Sequence, residues 1–146
     1  MRYLQHYKLY IEKLTHDEVA ECLIELIDMG YDFTIRKNEP YNYANVCLKK
    51  KITGKYTHSQ VFKCIVNREN IGCDRNIIGW RNSKETELNE EEKITISKAI
   101  NAAEKLLMAE DEIKQIKVEA EYYDIMDQVT HLISNCYYIT LYVSKK

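Results

Sequence analysis

Lysine and arginine crowded among aromatic residues form the pattern in this chain with the plainest chemistry. Lys49, Lys50, Lys51, Lys55 and Lys63 fall in one stretch. Arg36, Arg68, Arg75 and Arg81 flank it, and Tyr41, Tyr43, Tyr56 and Trp80 are interleaved. Cations hold phosphate oxygens, and exposed rings stack on bases. The combination fits a small phosphorylated, nucleotide-like ligand. Lys49, Lys51, Lys55 and Arg81 are the expected phosphate contacts, and Tyr56 and Trp80 the expected stacking platforms. The ordinary alternative is a solvated sheet face whose charges pair with acidic residues elsewhere in the chain.

Other chemistries have weaker support. His58, Cys64 and Cys73 are spaced six and nine residues apart, and zinc sites usually bring ligands in closer pairs. No metal or cofactor is therefore expected. Cys47, Cys64 and His58 supply the parts of a thiol nucleophile, but no Gly-rich elbow or orienting carboxylate accompanies them. Buried structural thiols are the commoner outcome. Walker-type and Gly-x-Gly phosphate loops are absent, which removes the kinase, NTPase and Rossmann classes. Glu110, Asp111 and Glu112 are read as a solvated helix face, because adjacent residues on a helix point in different directions. The balance favours a protein that is not an enzyme.

Charge is sorted by segment. Residues 31–84 hold eleven Lys and Arg against four Asp and Glu, a local charge of +7, and residues 85–128 hold five against thirteen, or −8. The whole chain of 146 residues nets −2, which disfavours tight duplex binding at long range. A small phosphorylated ligand meets less of that repulsion. The length suits a single domain over 1–146, and 45% hydrophobic residues argue against disorder. No apolar run is long enough for a membrane span, and the start lacks the apolar core of a signal peptide, so a cytoplasmic location is expected. Seventeen Ile, sixteen Lys, twelve Tyr and ten Asn are residues of AT-rich codons, which points to a low-GC bacterium, its phage or a large DNA virus.

The elements that must position these residues can be read from periodicity. Leu4, Tyr7, Ile11 and Leu14 form a helical stripe over 2–13. Thr15 and Glu18 make a capping box for a second helix, with Leu14 stapled onto Val19, and Gly30 ends that helix. Tyr31 to Ile35, Tyr43 to Ile52 and Val61 to Val66 alternate as strands. Val46, Leu48 and Ile52 take one side of the second strand, and Asn45, Cys47, Lys49 and Lys51 the other. Asn38–Asn42 is turn chemistry, and Thr53-Gly54-Lys55 reads as a hairpin connection. Ile77 to Arg81 is a short fourth strand. Asn89 and Glu92 cap a helix that carries Glu90, Glu91 and Glu92 in its first turn.

Ala102, Leu106, Ala109, Ile113, Ile116, Ala120 and Tyr123 repeat at 4-3-4-3-4-3, predicting one long helix with a narrow seam. The seam reads as a homo-oligomer joined through residues 102–123 or a docking helix for a partner, with an ordinary core helix lying on the sheet as the alternative. Its narrow, Ala-rich character tips the balance toward association. Cys136 to Val143 alternates as a terminal strand, which must pair with the sheet or with another chain. Residues 98–107, Lys98-Ala99-Ile100-Asn101-Ala102-Ala103-Glu104-Lys105-Leu106-Leu107, resemble the Ala-rich second helix of double-stranded-RNA-binding domains. The order helix, three strands, helix is similar to theirs. That family holds phosphate with a Lys pair at the start of that helix, where this chain has Glu90-Glu91-Glu92.

The expected architecture is α+β: two N-terminal helices, a small antiparallel sheet, a long acidic C-terminal helix and a terminal strand. The expected function is a non-enzymatic binding protein for a small anionic ligand, with an accessory role in a phage or virus. The alternative is a protein–protein inhibitor or adaptor that docks its acidic helix on a basic host protein, mimicking nucleic acid.

Overall fold

Thr15 opens the first helix of the computed structural model, which describes residues 14–38, 43–52, 59–81, 84–126 and 128–145. The Thr15 hydroxyl accepts from the Glu18 N–H at 3.2 Å, and the Thr15 N–H donates to the Glu18 carboxylate at 3.2 Å. This reciprocal box starts α1 (His16–Cys22), which hands over at Leu23 to α2 (Ile24–Asp28). Gly30 then adopts φ +98°, Tyr31 N–H bonds back to the Leu26 carbonyl at 3.1 Å, and Gly30 N–H to that of Ile27 at 2.9 Å. The paired bonds are those of a Schellman stop, and they deliver Tyr31 into the core. The helix expected over 2–13 lies outside the described residues.

Seven strands follow: β1 (Asp32–Asn38), β2 (Tyr43–Ile52), β3 (Ser59–Asn67), β4 (Gly79–Arg81), β5 (Lys84–Thr86), β6 (Ile113–Met126) and β7 (Ile133–Lys145). The long helix α3 (Glu90–Ala109) separates β5 from β6. The main sheet is antiparallel with order β1-β2-β7-β6-β3, and β4 and β5 form a separate ribbon. The α+β class holds. The pairing of β2 with β3 that a hairpin connection between them implies does not, because β7 and β6 lie between the two strands. The hairpin connection expected at Thr53-Gly54-Lys55 lies outside the described residues, and the strands on either side of it are not neighbours in the sheet. The likeness in order to double-stranded-RNA-binding domains fails for the same reason.

The largest correction concerns residues 110–126. The 4-3 repeat does not mark one helix: α3 ends at Ala109, and Ile113–Met126 is a strand. Ile116, Val118, Ala120 and Tyr122 face the core, and Lys117, Glu119, Glu121 and Tyr123 face outward. A register shift between Ile113 and Gln115 brings Ile113 to the same face as Ile116. That bulge turns a period of two into an apparent period of three and four. The heptad argument for association through 102–123 therefore lapses, since Ala102, Leu106, Ile113, Ile116 and Ala120 are buried within one chain. The helix is also barely acidic: α3 carries four Glu and three Lys. Glu110, expected on a solvated face, is 2% exposed at the helix end.

What ends the helix is Arg68. Its guanidinium donates to the carbonyls of Leu107 at 2.7 Å, Glu110 at 2.8 Å and Ile113 at 3.0 Å, answering groups that a helix end leaves bare. The core-facing stripe of α3 is wide, with Ile96, Ala99, Ile100, Ala103, Leu106 and Leu107 all buried. The helices and the sheet share one apolar cluster, from Leu23 and Leu26 through Val46 and Leu48 to Ile139 and Leu141. Among the described residues, no helix is long and apolar enough to cross a membrane.

Candidate functional site

Strand period places Lys50 on the same side of β2 as Leu48 and Ile52, facing the helices instead of solvent. Its stem passes over Gly30, with Cε 3.5 Å from where a Cβ would stand. Its ammonium lies 5.8 Å from the ring centre of Tyr31. The next inward residue across the strand pair is Tyr137 of β7, whose register partner on β6 is Tyr122. The two rings lie 4.6 Å apart. Lys50, Tyr137 and Tyr122 thus form one row at the end of the sheet where the N-terminus of α3 arrives.

Between that row and the helix is a cleft of ≈ 290 Å³, whose helix wall is made by Asn89, Glu91, Glu92 and Thr95. Lys51 and Ile52 border it at the end of β2. The Glu92 side chain is 5% exposed and fully engaged. It accepts from the Asn89 N–H at 3.0 Å, from Arg81 Nη2 at 3.0 Å and from the Tyr122 hydroxyl at 3.1 Å. A carboxylate this deep requires such partners. Arg81 also sits 5.6 Å from the Tyr122 ring centre.

The three tyrosines differ in how their hydroxyls are answered. Burial pushes the Tyr31 phenol well above its ordinary value, partly offset by its hydrogen bond with Thr95. The Tyr122 hydroxyl donates to Glu92. Tyr137 is 3% exposed and its hydroxyl is buried with no hydrogen-bond partner. Burial drives its phenol strongly upward, and the nearby Tyr122, Tyr31 and Glu92 add to this. Among the described residues no ion pair holds Lys50, Lys51 or Glu91.

A second cleft, ≈ 310 Å³, lies between residues 72–77 and α3. Its two most buried charged side chains answer one another: Glu104 takes the Gly72 N–H at 2.6 Å and pairs with Arg75 at 3.6 Å. It has no group left for a ligand comparable with Lys50 or Tyr137.

The residues expected for ligand binding separate. Lys51 borders the first cleft, and Arg81 reaches it through Glu92. Lys49 is exposed on the opposite face of the sheet, in register with Tyr138 and Asp32. Trp80 sits half-buried on the β4–β5 ribbon, opposite Glu85. Lys55 and Tyr56 lie outside the described residues. Lys63, which a hairpin from β2 to β3 would set beside the β2 lysines, stands on the far edge strand opposite Glu119. Lys50 stands in the expected lysine cluster but not among the expected contacts, and Tyr31, Tyr122 and Tyr137 were not expected at a site. The available signal was a lysine and a tyrosine at apolar-phase positions, Lys50 after Leu48 and Tyr137 before Ile139.

The thiol arrangement does not assemble. Cys47 and Cys64 lie on strands separated by β7 and β6 and on opposite faces of the sheet. Burial raises the Cys64 thiol to about 11, opposite to what a nucleophile needs. His58 is outside the described residues. Among the described residues no group of three or more His, Cys, Asp or Glu is placed to hold a metal ion. No family model, curated protein or solved structure matches the chain.

Proposed function

We propose that this protein is a non-enzymatic binding protein that holds a small anionic, nucleotide-like ligand in the cleft between Lys50 and the start of α3. The observation that carries this reading is the Lys50–Tyr137 pair of neighbours. Among the described residues, a cation without a counter-ion and a buried hydroxyl without a partner line one cleft. Leaving a buried hydroxyl unanswered costs about 1–3 kcal/mol, and a ligand oxygen would recover much of it. The cleft volume is near the lower end of the range for small-molecule sites, about 300–1,000 Å³. Lys51 at the mouth adds a second cation, and the N-terminal end of α3 favours negative charge. The tyrosine rings offer flat surface for a base. Nothing in the cleft resembles a nucleophile with an activating base, which is why the reading is binding and not catalysis.

The test is native mass spectrometry of protein purified from cells, followed by calorimetry with nucleoside monophosphates and inorganic phosphate. A co-purified anion, or micromolar binding that falls at least tenfold in Lys50→Met, is expected. No nucleotide bound, by either method, would overturn the reading.

A further inference from the structure

The walls of the cleft carry opposite charges that the described residues do not pair. Lys50 stands on the sheet wall and Glu91 on the helix wall. Both approach Tyr31: Lys50 lies 5.8 Å from its ring centre, and Glu91 acts electrostatically on its hydroxyl. Among the described residues they form no ion pair with each other or with another side chain. Glu92, the next residue on the helix, has its carboxylate occupied by Arg81, Tyr122 and the Asn89 N–H. Glu91 is therefore the carboxylate left for a ligand. Tyr137, with its hydroxyl unanswered among the described residues, stands beside Lys50 on the sheet wall.

A simple anion such as phosphate uses only the lysine wall and is repelled by Glu91. The opposite wall calls for hydrogen-bond donors on the same molecule. Among the four bases, guanine presents two adjacent donors, N1–H and the N2 amine, which match the two oxygens of a carboxylate. Adenine and cytosine place a ring-nitrogen acceptor beside their single amine, and uracil sets one N–H between two carbonyl oxygens. Each of those acceptors would face the Glu91 oxygens and repel them. Bidentate pairing of this kind discriminates strongly between bases. The guanine O6, which a carboxylate cannot bind, needs a donor, and the Tyr137 hydroxyl is one.

Resting on the nucleotide reading above, we infer that the cleft selects guanine nucleotides. Glu91 takes the N1–H and N2 amine, the Tyr137 hydroxyl donates to O6, and Lys50 with Lys51 holds the phosphate.

The experiment is calorimetric titration of the full chain with GMP, IMP, AMP and inorganic phosphate. GMP should bind about tenfold or more tightly than AMP. IMP, which keeps N1–H and O6 but lacks the N2 amine, should fall between them. Glu91→Gln should abolish the preference for GMP over AMP and strengthen inorganic phosphate binding, because the charge that repels it is gone. Glu91 is exposed, so this variant should fold, and its thermal midpoint checks that it does. Lys50→Met should weaken all the nucleotides together. Equal binding of GMP and AMP, or a preference that survives Glu91→Gln, overturns the guanine assignment while nucleotide binding stands. Absence of binding by every nucleotide overturns both.

Discussion

Tyr137 places a phenolic hydroxyl where nothing in the chain answers it, and this gives a prediction of unusual sign. Tyr137→Phe keeps the ring contact with Tyr122 and removes only the buried oxygen. The ligand-free protein should gain about 1 kcal/mol of stability, because an unpaired buried group is removed. Denaturant unfolding measures this, and a loss of stability would show that the hydroxyl is satisfied in solution. Nucleotide affinity should fall in the same variant. Gain in one assay with loss in the other is the mark of a group kept for a ligand.

The outer sheet face supplies a second prediction at this scale. Tyr123 is raised to about 12, chiefly by its hydrogen bond with Glu121, and Tyr142 to about 12, chiefly by burial and then by Glu119. In both cases the folded chain holds the proton more tightly than the unfolded chain. Their contribution is therefore fully present below about pH 10, the ordinary phenol value, and is lost as pH rises toward 12. Absorbance titration of phenolate should show a class of tyrosines ionising above the ordinary value, and stability should decline over the same interval.

At the scale of elements, what was legible in the sequence was whatever local chemistry decides. Both capping boxes, Thr15 with Glu18 and Asn89 with Glu92, stand where the residue types put them. Gly30 ends α2 by the one conformation that its lack of a side chain makes cheap. The alternation of β2 correctly sorted Leu48 and Ile52 from Lys49 and Lys51. What local chemistry does not contain is the bulge near Ile113 and the long-range Arg68 lock, so 110–126 read as helix. The order of strands is likewise set by pairings between distant segments, and it broke up the lysine cluster expected on adjacent strands. The site followed: Lys50 and Tyr137 become neighbours only once β7 lies beside β2.

Two substitutions test the elements directly. Arg68→Lys keeps the charge but loses the planar fork that reaches three carbonyls, and should cost about 2 kcal/mol in denaturant unfolding. Gly79→Ala should be worse tolerated than its small size implies. A Cβ there would collide with the Val61 carbonyl oxygen and the Leu88 side chain, at a cost of about 1–3 kcal/mol. A neutral result at Gly79 would mean that the β4–β5 ribbon can move away from β3.

At the scale of the molecule, the +7 and −8 segments serve each other in part. Arg75 pairs with Glu104, Arg81 with Glu92, and Arg68 reaches the end of α3, so three arginines of the basic stretch are committed to the acidic one. The β2 lysines are not. These two groups should respond differently to salt. Arg75 and Glu104 are 13% and 14% exposed, so mobile ions screen that pair poorly; in the Arg81–Glu92 pair only the carboxylate, 5% exposed against 37% for Arg81, is shielded. Folding stability should therefore change little between low and moderate salt. Lys51 is exposed and Lys50 half-buried at a solvent-reaching cleft, so ligand binding through them should weaken steadily as salt rises. Urea unfolding and nucleotide titration across one salt series separate the two. A flat unfolding midpoint with falling affinity locates the uncommitted charge in the cleft. A midpoint that falls with salt while affinity stays flat would mean that screened surface pairs hold the fold and that the lysines do not hold the ligand.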